Sequence, residues 1–216
     1  MRMGMLGKPL TWVSLSLLAA ILLLALLLAR IVSPQLAATT GPTPTPSGMQ
    51  ADIVIPAKSM PAPDFTLHDQ DGNAVSVSAL RGKVLAITFL DSHCKQLCPL
   101  EGDQLAQAQR ALGRAANLSL LVVSVAPATD TPDSERAFAA DHHWTGDWHW
   151  LMGTPDQLAQ VWKAYSIAVQ VIPGDILHSS VLYLVDKDGF QRAGWAGPIE
   201  PALLAHDVRY LDSAAA

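Results

Sequence analysis

The sequence contains two cysteines, Cys94 and Cys98, separated by three residues. They follow an apolar run at 84–90 that is typical of a buried strand, and they precede a segment, 100–112, whose pattern predicts an amphipathic helix. Pro99 lacks a backbone N–H and is tolerated only in the first turn of a helix. The predicted helix therefore begins close to the two thiols.

This spacing permits two kinds of chemistry. Side chains four positions apart on a helix share a face, with Cβ atoms about 5–6 Å apart, so the two sulfurs can converge. They can form a disulfide after a small adjustment, or they can hold one ion between them. A helix N-terminus lowers the pKa of a thiol, and the thiolate is both nucleophile and metal ligand. Redox chemistry and soft-metal binding both remain open. A structural disulfide is the weaker interpretation, because so short a loop gives little entropic stabilisation.

Length and charge limit the alternatives. The chain has 216 residues, a net charge of −5 and an apolar content of 50%. Its length predicts one domain of ordinary size with appendages. The sequence lacks the basic patch that nucleic-acid binding requires, so we expect no nucleic-acid partner.

The N-terminus predicts a membrane anchor. Arg2 and Lys8 precede a Leu-rich segment, 9–29, that carries no charge. About 20 apolar residues cross the hydrocarbon core of a bilayer, whereas a cleavable signal peptide has a shorter apolar region of about 7–15 residues. We therefore predict an anchor helix within residues 1–32, with a cleaved signal as the alternative. The short basic terminus stays inside, which places the remainder outside the cytoplasm, in the periplasm if the host is Gram-negative.

A linker and one globular domain follow the anchor. Residues 33–59 are rich in Pro and Thr, a composition typical of an extended tether, although 51–55 can be a short strand. The domain is predicted over residues 60–216.

The domain pattern alternates strands with helices. Predicted strands lie at 64–68, 74–77, 84–90, 118–125, 179–185 and 190–195, and predicted helices at 99–114, 133–140, 156–165 and 199–210. Asp71-Gly72 between the first two strands predicts a hairpin. Continuous apolar strands between helices indicate a mainly parallel sheet covered on both faces. With the cysteine pair at the end of the first long strand, the pattern predicts an α/β thioredoxin-like sandwich, whose chemistry lies beyond the strands' C-terminal ends.

Several stretches resemble one known family. They are 64–72, 82–89, 93–99, 123–132, 150–154 and 178–189. Over about residues 60–212 the chain resembles the Sco/SenC family, which consists of membrane-anchored copper-binding proteins that help assemble the dinuclear copper site of cytochrome c oxidase. The resemblance implies copper bound by Cys94, Cys98 and His178. It also implies that the partners are the oxidase's copper-bearing subunit and other copper chaperones or thiol reductases.

The residue types are consistent with this implication. Two thiolates and one imidazole form a soft ligand set that selects Cu(I) or Zn, and three ligands leave a position open for transfer. His178 immediately precedes a predicted strand, where redox thioredoxins have a cis-proline and this chain has Ser179. Two positions depart from the family, because Ala126 and Leu177 stand where many members have Asp. We expect weaker carboxylate support of the site from these departures.

Two other activities compete with copper delivery. The same thiol pair can act as a thiol–disulfide oxidoreductase on cysteines of a partner protein, so whether the protein is an enzyme stays open. A peroxiredoxin-like peroxidase needs an arginine beside its cysteine. The segment 91–100 contains no arginine, and Arg192 is then the candidate to approach in space.

Other histidines have less specific predictions. His93 adjoins Cys94, and it either contacts the metal or shapes the loop. His142, His143 and His149 lie among tryptophans, and we interpret that tract as covering the edge of the core or a partner surface rather than as a metal site.

Overall fold

The computed structural model describes residues 20, 23–24, 48–113 and 116–214. The predicted anchor and most of the predicted linker lie outside the described residues. No helix among the described residues is long and apolar enough to cross a membrane. The chain divides into two compact units, Met1–Thr45 and Pro46–Ala216, and the second contains the elements described below.

Short strands and four α-helices alternate along the described part of the second unit. The strands are β1 (Ile53–Val54), β2 (Thr66–His68), β3 (Ala74–Ser76), β4 (Val84–Leu90), β5 (Leu118–Ser124), β6 (Asp147–Leu151), β7 (Val169–Ile172), β8 (Asp175–His178), β9 (Val181–Val185) and β10 (Gln191–Ala196). The helices are α1 (Leu97–Leu112), α2 (Pro132–Asp141), α3 (Pro155–Ala164) and α4 (Pro201–Ser213), and a 3₁₀ turn covers Ser78–Leu80.

The central sheet has six strands in the order β1-β10-β9-β4-β5-β6. β4, β5 and β6 are parallel, whereas β9 is antiparallel to β4, and β10 and β1 continue the antiparallel pairing. The prediction of a mainly parallel sheet is therefore wrong, because three of the five pairings are antiparallel. The reason is physical: a continuous apolar run reports burial on both faces of a sheet, which any central strand has regardless of its direction.

β4 is buried along its whole length because its two faces contact two different cores. Successive side chains of a strand point to opposite faces. Val84, Ala86 and Leu90 pack with residues of α1, α2 and α4. Leu85, Ile87 and Phe89 pack with residues of the β2–β3 hairpin and of α3. The strand that leads to the cysteines is thus held on both sides.

β1 resolves one alternative that the sequence left open. Ile53 and Val54 pair with Gly194 and Ala193 of β10, so this stretch is an edge strand of the sheet. The adjoining Gln50 N–H donates to both carboxylate oxygens of Asp207 in α4, at 2.7 and 2.9 Å. The Pro- and Thr-rich part of the sequence therefore ends before Gln50, the first residue that makes these contacts.

The His- and Trp-rich tract contributes a strand that the sequence did not predict. β6 is the other edge of the sheet, and its Trp150 is fully buried, with its ring 5.3 Å from that of Phe138. Trp144 is also buried and packs on the same ring. Trp144 and Trp150 therefore cover the edge of the core, which confirms one of the two predicted roles. Because both indoles are enclosed, the other predicted role, a partner surface, is wrong for them.

A second unpredicted feature is the β7–β8 hairpin. Its two strands pair with each other, and the turn between them is Pro173-Gly174, where Gly174 has a φ of +79°. Pro followed by a glycine of positive φ is the signature of a type II turn. The hairpin occupies residues for which the sequence predicted no structure, and β9 begins at Val181 rather than at the predicted residue 179. Strands this short have too few residues to show a periodic pattern.

Candidate metal centre

The thiol pair lies where the central strand gives way to the first helix. β4 ends at Leu90, and α1 begins at Leu97, two residues before the predicted start. Cys98 is therefore in the first turn of α1 and is 2% exposed. Cys94 lies in the preceding loop, where it is half-buried, and both thiols are free. The predicted strand–thiol–helix arrangement is present.

His178 reaches the thiol pair from across the fold. It is the last residue of β8, and its Nε2 lies 3.9 Å from the Sγ of Cys98. Its Nδ1 is 3.1 Å from the carbonyl oxygen of Ser179, which can only accept, so Nδ1 carries the proton and Nε2 offers a lone pair toward the sulfur. A metal–sulfur bond is about 2.3 Å long and a metal–nitrogen bond about 2.0–2.1 Å. Their sum exceeds the 3.9 Å between Sγ and Nε2, so one ion can bond to both atoms.

Cys94 completes the predicted set less closely. Its side chain lies near enough to the Cys98 thiol to raise the pKa of that thiol. Among the described residues, however, the Sγ atoms of Cys94 and Cys98 and a ring nitrogen of His178 do not all lie within 4.8 Å of one another. The structure therefore brings Cys98 against His178, and a common ion requires Cys94 to approach this pair further.

Burial dominates the acidity of Cys98. Desolvation raises the pKa of its thiol well above the ordinary value, and the neighbouring Cys94 thiol and the Glu101 carboxylate raise it further. A helix N-terminus was expected to lower this pKa, and for Cys98 that expectation is wrong because the side chain is removed from water. A bound cation must therefore displace the thiol proton before Cys98 becomes a ligand.

A carboxylate that the sequence analysis did not single out fixes the cysteine loop. The Asp130 carboxylate accepts hydrogen bonds from the backbone N–H and the hydroxyl of Ser92, at 3.0 and 2.6 Å, and from the Ser124 hydroxyl at 2.6 Å. Ser92 lies two residues before Cys94. Although Ala126 lacks a carboxylate, the loop after β5 thus supplies one four residues later. The sequence offered one signal for Asp130, which is an acid immediately before Thr131-Pro132, where a helix starts.

His93 belongs to this carboxylate group and not to the Cys98–His178 pair. Its Nδ1 lies 3.9 Å from Asp91 Oδ1 and 3.8 Å from Asp130 Oδ1, and the ligand atoms of these three residues are mutually within 4.8 Å. The Ser92 hydroxyl is also 3.0 Å from the same nitrogen. Asp91 accepts from the His93 N–H at 2.8 Å, which is a loop-shaping contact. Of the two predicted roles for His93, the structure supports shaping the turn.

His142, His149 and Arg192 have structural partners. The Nδ1 atoms of His142 and His149 lie 2.7 Å from Asp103 Oδ1 and 3.0 Å from Asp69 Oδ2. Arg192 pairs with Asp186 at 3.2 Å and donates to the Ile55 carbonyl. These groups hold the Arg192 guanidinium. Arg192 therefore does not serve as the arginine beside the cysteine that a peroxiredoxin-like peroxidase needs.

The surroundings of the site are apolar. A cavity of about 760 Å³ lies beside Cys94, between the loop after β5 and the β7–β8 hairpin. Four large apolar side chains near the predicted ligands are exposed, Leu97 and Leu100 on α1 and Val171 and Leu177 on the hairpin. The predicted ligands therefore lie beside a surface that favours contact with another apolar surface over water.

Fold and site together define a class of protein: a thioredoxin-like α/β domain with two thiols between its central strand and first helix, and an imidazole against one of them. The SCO1/SenC family model matches residues 56–211. The chain therefore belongs to the SCO1/SenC family. This confirms the resemblance that the motifs indicated.

Relatives and solved structures agree with this assignment. A SCO1 protein homolog of Bacillus subtilis is 30% identical over 132 residues, covering 58% of this chain and 68% of the relative. Yeast mitochondrial SCO2 is 32% identical, covering 58% of this chain and 44% of the relative, so the match spans less than half of that longer protein. The copper-bound ScoI of Bradyrhizobium japonicum is 28% identical with a TM-score of 0.63, covering 71% of this chain and 99% of that one.

Proposed function

We propose that this protein is a membrane-anchored copper chaperone that binds copper through Cys94, Cys98 and His178 and helps assemble the copper site of cytochrome c oxidase. The observation that carries the proposal is the 3.9 Å distance between Cys98 Sγ and His178 Nε2, which joins residues 80 positions apart. The similar ScoI of Bradyrhizobium japonicum and yeast Sco1, at 28% and 25% identity, are both known with copper bound.

The ligand set suits the transfer of a soft cation. Thiolate and imidazole ligands together favour Cu(I), and a three-coordinate ion keeps a position open for an incoming ligand. Cys94 and His178 are both partly exposed, so an acceptor can reach either of them before it reaches Cys98. The buried Cys98 would then release the ion last.

The partner would be another protein. The exposed apolar side chains around the ligands suit a docking partner, for which we propose the copper-bearing subunit of cytochrome c oxidase. Other copper chaperones or thiol reductases would load or reduce the site. The sequence supports an anchor at 1–32 and a linker that ends before β1, followed by an extracytoplasmic domain, periplasmic in a Gram-negative host.

The alternative function is thiol–disulfide exchange with the cysteines of a partner. The adjacency of two free thiols favours it. The two roles are compatible, because a dithiol acceptor must be reduced before it takes copper. The raised pKa of Cys98 leaves Cys94 as the attacking thiol, since the thiolate is the reactive form.

Copper titration of the reduced full-length protein tests the main proposal. Alanine at Cys94, Cys98 or His178 should lower copper affinity by more than the roughly 10–100-fold typical of losing an outer-shell contact, because each removes a direct ligand. His206→Ala is the matched control, since that imidazole pairs with Asp207 in α4. Undiminished affinity in the His178 variant would refute the assigned ligand set.

Exchange measurements test the alternative. The reduction potential of the cysteine pair and its rate with a dithiol-bearing partner protein should be determined for the parent and for Cys94→Ser. Rapid exchange that depends on Cys94 supports an oxidoreductase, and a pair that does not exchange rules that function out.

A further inference from the structure

Glu101 is a buried acid placed between the two segments that carry Cys98 and His178. It lies three residues after Cys98 on α1 and is 5% exposed. One carboxylate oxygen, Oε1, accepts a hydrogen bond from the Thr88 hydroxyl of β4. The other, Oε2, accepts from the Ser180 hydroxyl at 3.3 Å. Ser180 follows His178 by two residues, between β8 and β9.

These contacts connect three elements at one carboxyl group. β4 leads into the cysteine loop, α1 carries Cys98, and the β8–β9 connection directly follows His178. The Thr88 hydroxyl also lies 3.3 Å from the Val181 carbonyl, so the segment after His178 is held at two successive residues. Positions three apart on a helix share a face, which places the Glu101 carboxyl on the Cys98 side of α1.

The burial of the Glu101 carboxyl group calls for a physical explanation. Burial of a carboxyl group is unfavourable unless hydrogen bonds compensate it, whereas an aliphatic side chain would be stabilising in the same place. Burial raises the pKa of Glu101 to about 7 even though two hydroxyls donate to it. The group thus lies where its own helix carries Cys98 and where its two oxygens reach β4 and the segment that follows His178.

We propose that Glu101 is a positioning residue that sets the spacing between Cys98 and His178. The inference rests on the proposed function of that pair as metal ligands. Through Ser180 the carboxyl group holds the β8–β9 connection against α1, and the 3.9 Å separation of Sγ and Nε2 depends on that connection. Without the bridge, the segment after His178 loses its hydrogen bond to Glu101 of α1.

The chain offers a matched control for this residue. Asp207 is also a fully buried carboxylate that joins a helix to another segment, since both of its oxygens accept from the Gln50 N–H. It lies in α4 and contacts no candidate ligand. Asp207→Ala therefore measures the general effect of losing a buried carboxylate bridge. Glu101→Ala measures the effect of losing such a bridge beside the candidate ligands.

The experiment compares Glu101→Ala, Glu101→Gln and Asp207→Ala in the reduced full-length protein. Glu101→Ala should weaken copper binding by about 10–100-fold, the range for loss of an outer-shell partner, and should shift the sulfur-to-copper(II) charge-transfer absorption. Glu101→Gln keeps an acceptor for Thr88 and a partner for Ser180, so affinity and absorption should stay near the parent values. Asp207→Ala should lower stability and leave both unchanged.

A metal-free readout separates this inference from the proposed function. The ring signals of His178 in NMR spectra of the metal-free protein should move in Glu101→Ala and remain in place in the other two variants. If the parent fails to bind copper but this pattern holds, the chaperone function fails and the positioning role stands. Unchanged ring signals in Glu101→Ala, or equal shifts in Asp207→Ala, overturn the positioning role whatever the copper result.

Discussion

Glu135 and Glu101 are buried acids near the starts of their helices, yet they differ in their contacts. Burial raises the pKa of each to about 7. Two hydroxyls donate to Glu101, whereas neither oxygen of Glu135 has a hydrogen-bond partner, and Asp130 and Asp69 add negative charge beside it. A group without compensation destabilises the folded state once it ionises.

Glu135→Gln should therefore stabilise the protein in a pH-dependent way. The unfolded carboxyl ionises near pH 4.5, and the folded one only near pH 7. Below the lower value both states are protonated, so the parent and the variant should have similar stability. Between the two values the parent loses stability as pH rises, by about 3 kcal/mol in total at roughly 1.4 kcal/mol per pKa unit, and the loss is complete above pH 7.

Urea unfolding at pH 4.5 and pH 8 measures this difference. Asp133→Asn is the control, since that carboxylate is on the same helix and fully exposed. A Glu135→Gln advantage of equal size at both pH values would mean that ionisation of Glu135 is not its cause.

At the scale of elements, the β7–β8 hairpin decides where His178 lies. Its strands pair with each other rather than with the six-stranded sheet. Ser179 links the base of the hairpin to Ala168 through two hydrogen bonds of 3.0 and 3.1 Å. A two-stranded ribbon has little stability of its own, so the conformation of this one depends on its turn.

Gly174→Ala should consequently weaken copper binding through the hairpin. A side chain at a φ of +79° costs about 1–2 kcal/mol, and here the strain falls on the turn that aligns β8. Gly146→Ala is matched, since Gly146 also has a φ of +79° and open space around it, but it precedes β6. Isothermal titration with copper and thermal unfolding of both variants provide the comparison. Equal copper affinities would show that the turn does not control His178.

The start of α3 lies one residue before its predicted position. Thr154 caps the helix through a reciprocal capping box with Gln157, and Pro155 is the first helical residue. Such signals are local, because the cap and its partner are three residues apart. The start of α1 was less accurate, since Pro99 is tolerated at several positions in the first turn.

At the scale of the whole molecule, a bound ion would act as a cross-link. Cys98 is on α1 and His178 on β8, and the two side chains meet although they lie 80 positions apart in the sequence. Copper that binds the folded state alone should stabilise it by about 2.7 kcal/mol at a free concentration 100 times the Kd.

Thermal unfolding should report this stabilisation. For a domain of this size, each 1 kcal/mol raises the Tm by about 2–4 °C, so saturating copper should raise it by roughly 5–11 °C. A chelator should reverse the shift, and Cys98→Ala and His178→Ala should show little of it. A full shift in either variant would indicate that copper binds elsewhere.

The sequence by itself determined the local features of this protein: the thiols between a buried strand and a helix, the Asp71-Gly72 hairpin, the capped helix starts and the family. Each depends on residues within a few positions of one another. Only the tertiary structure decided the direction of β9, the existence of β6 and of the β7–β8 hairpin, and the meeting of Glu101 and His178 with their partners. Those features depend on pairing between segments that are distant in the sequence. An apolar pattern indicates that a segment is buried, but it does not indicate which other segment packs against it.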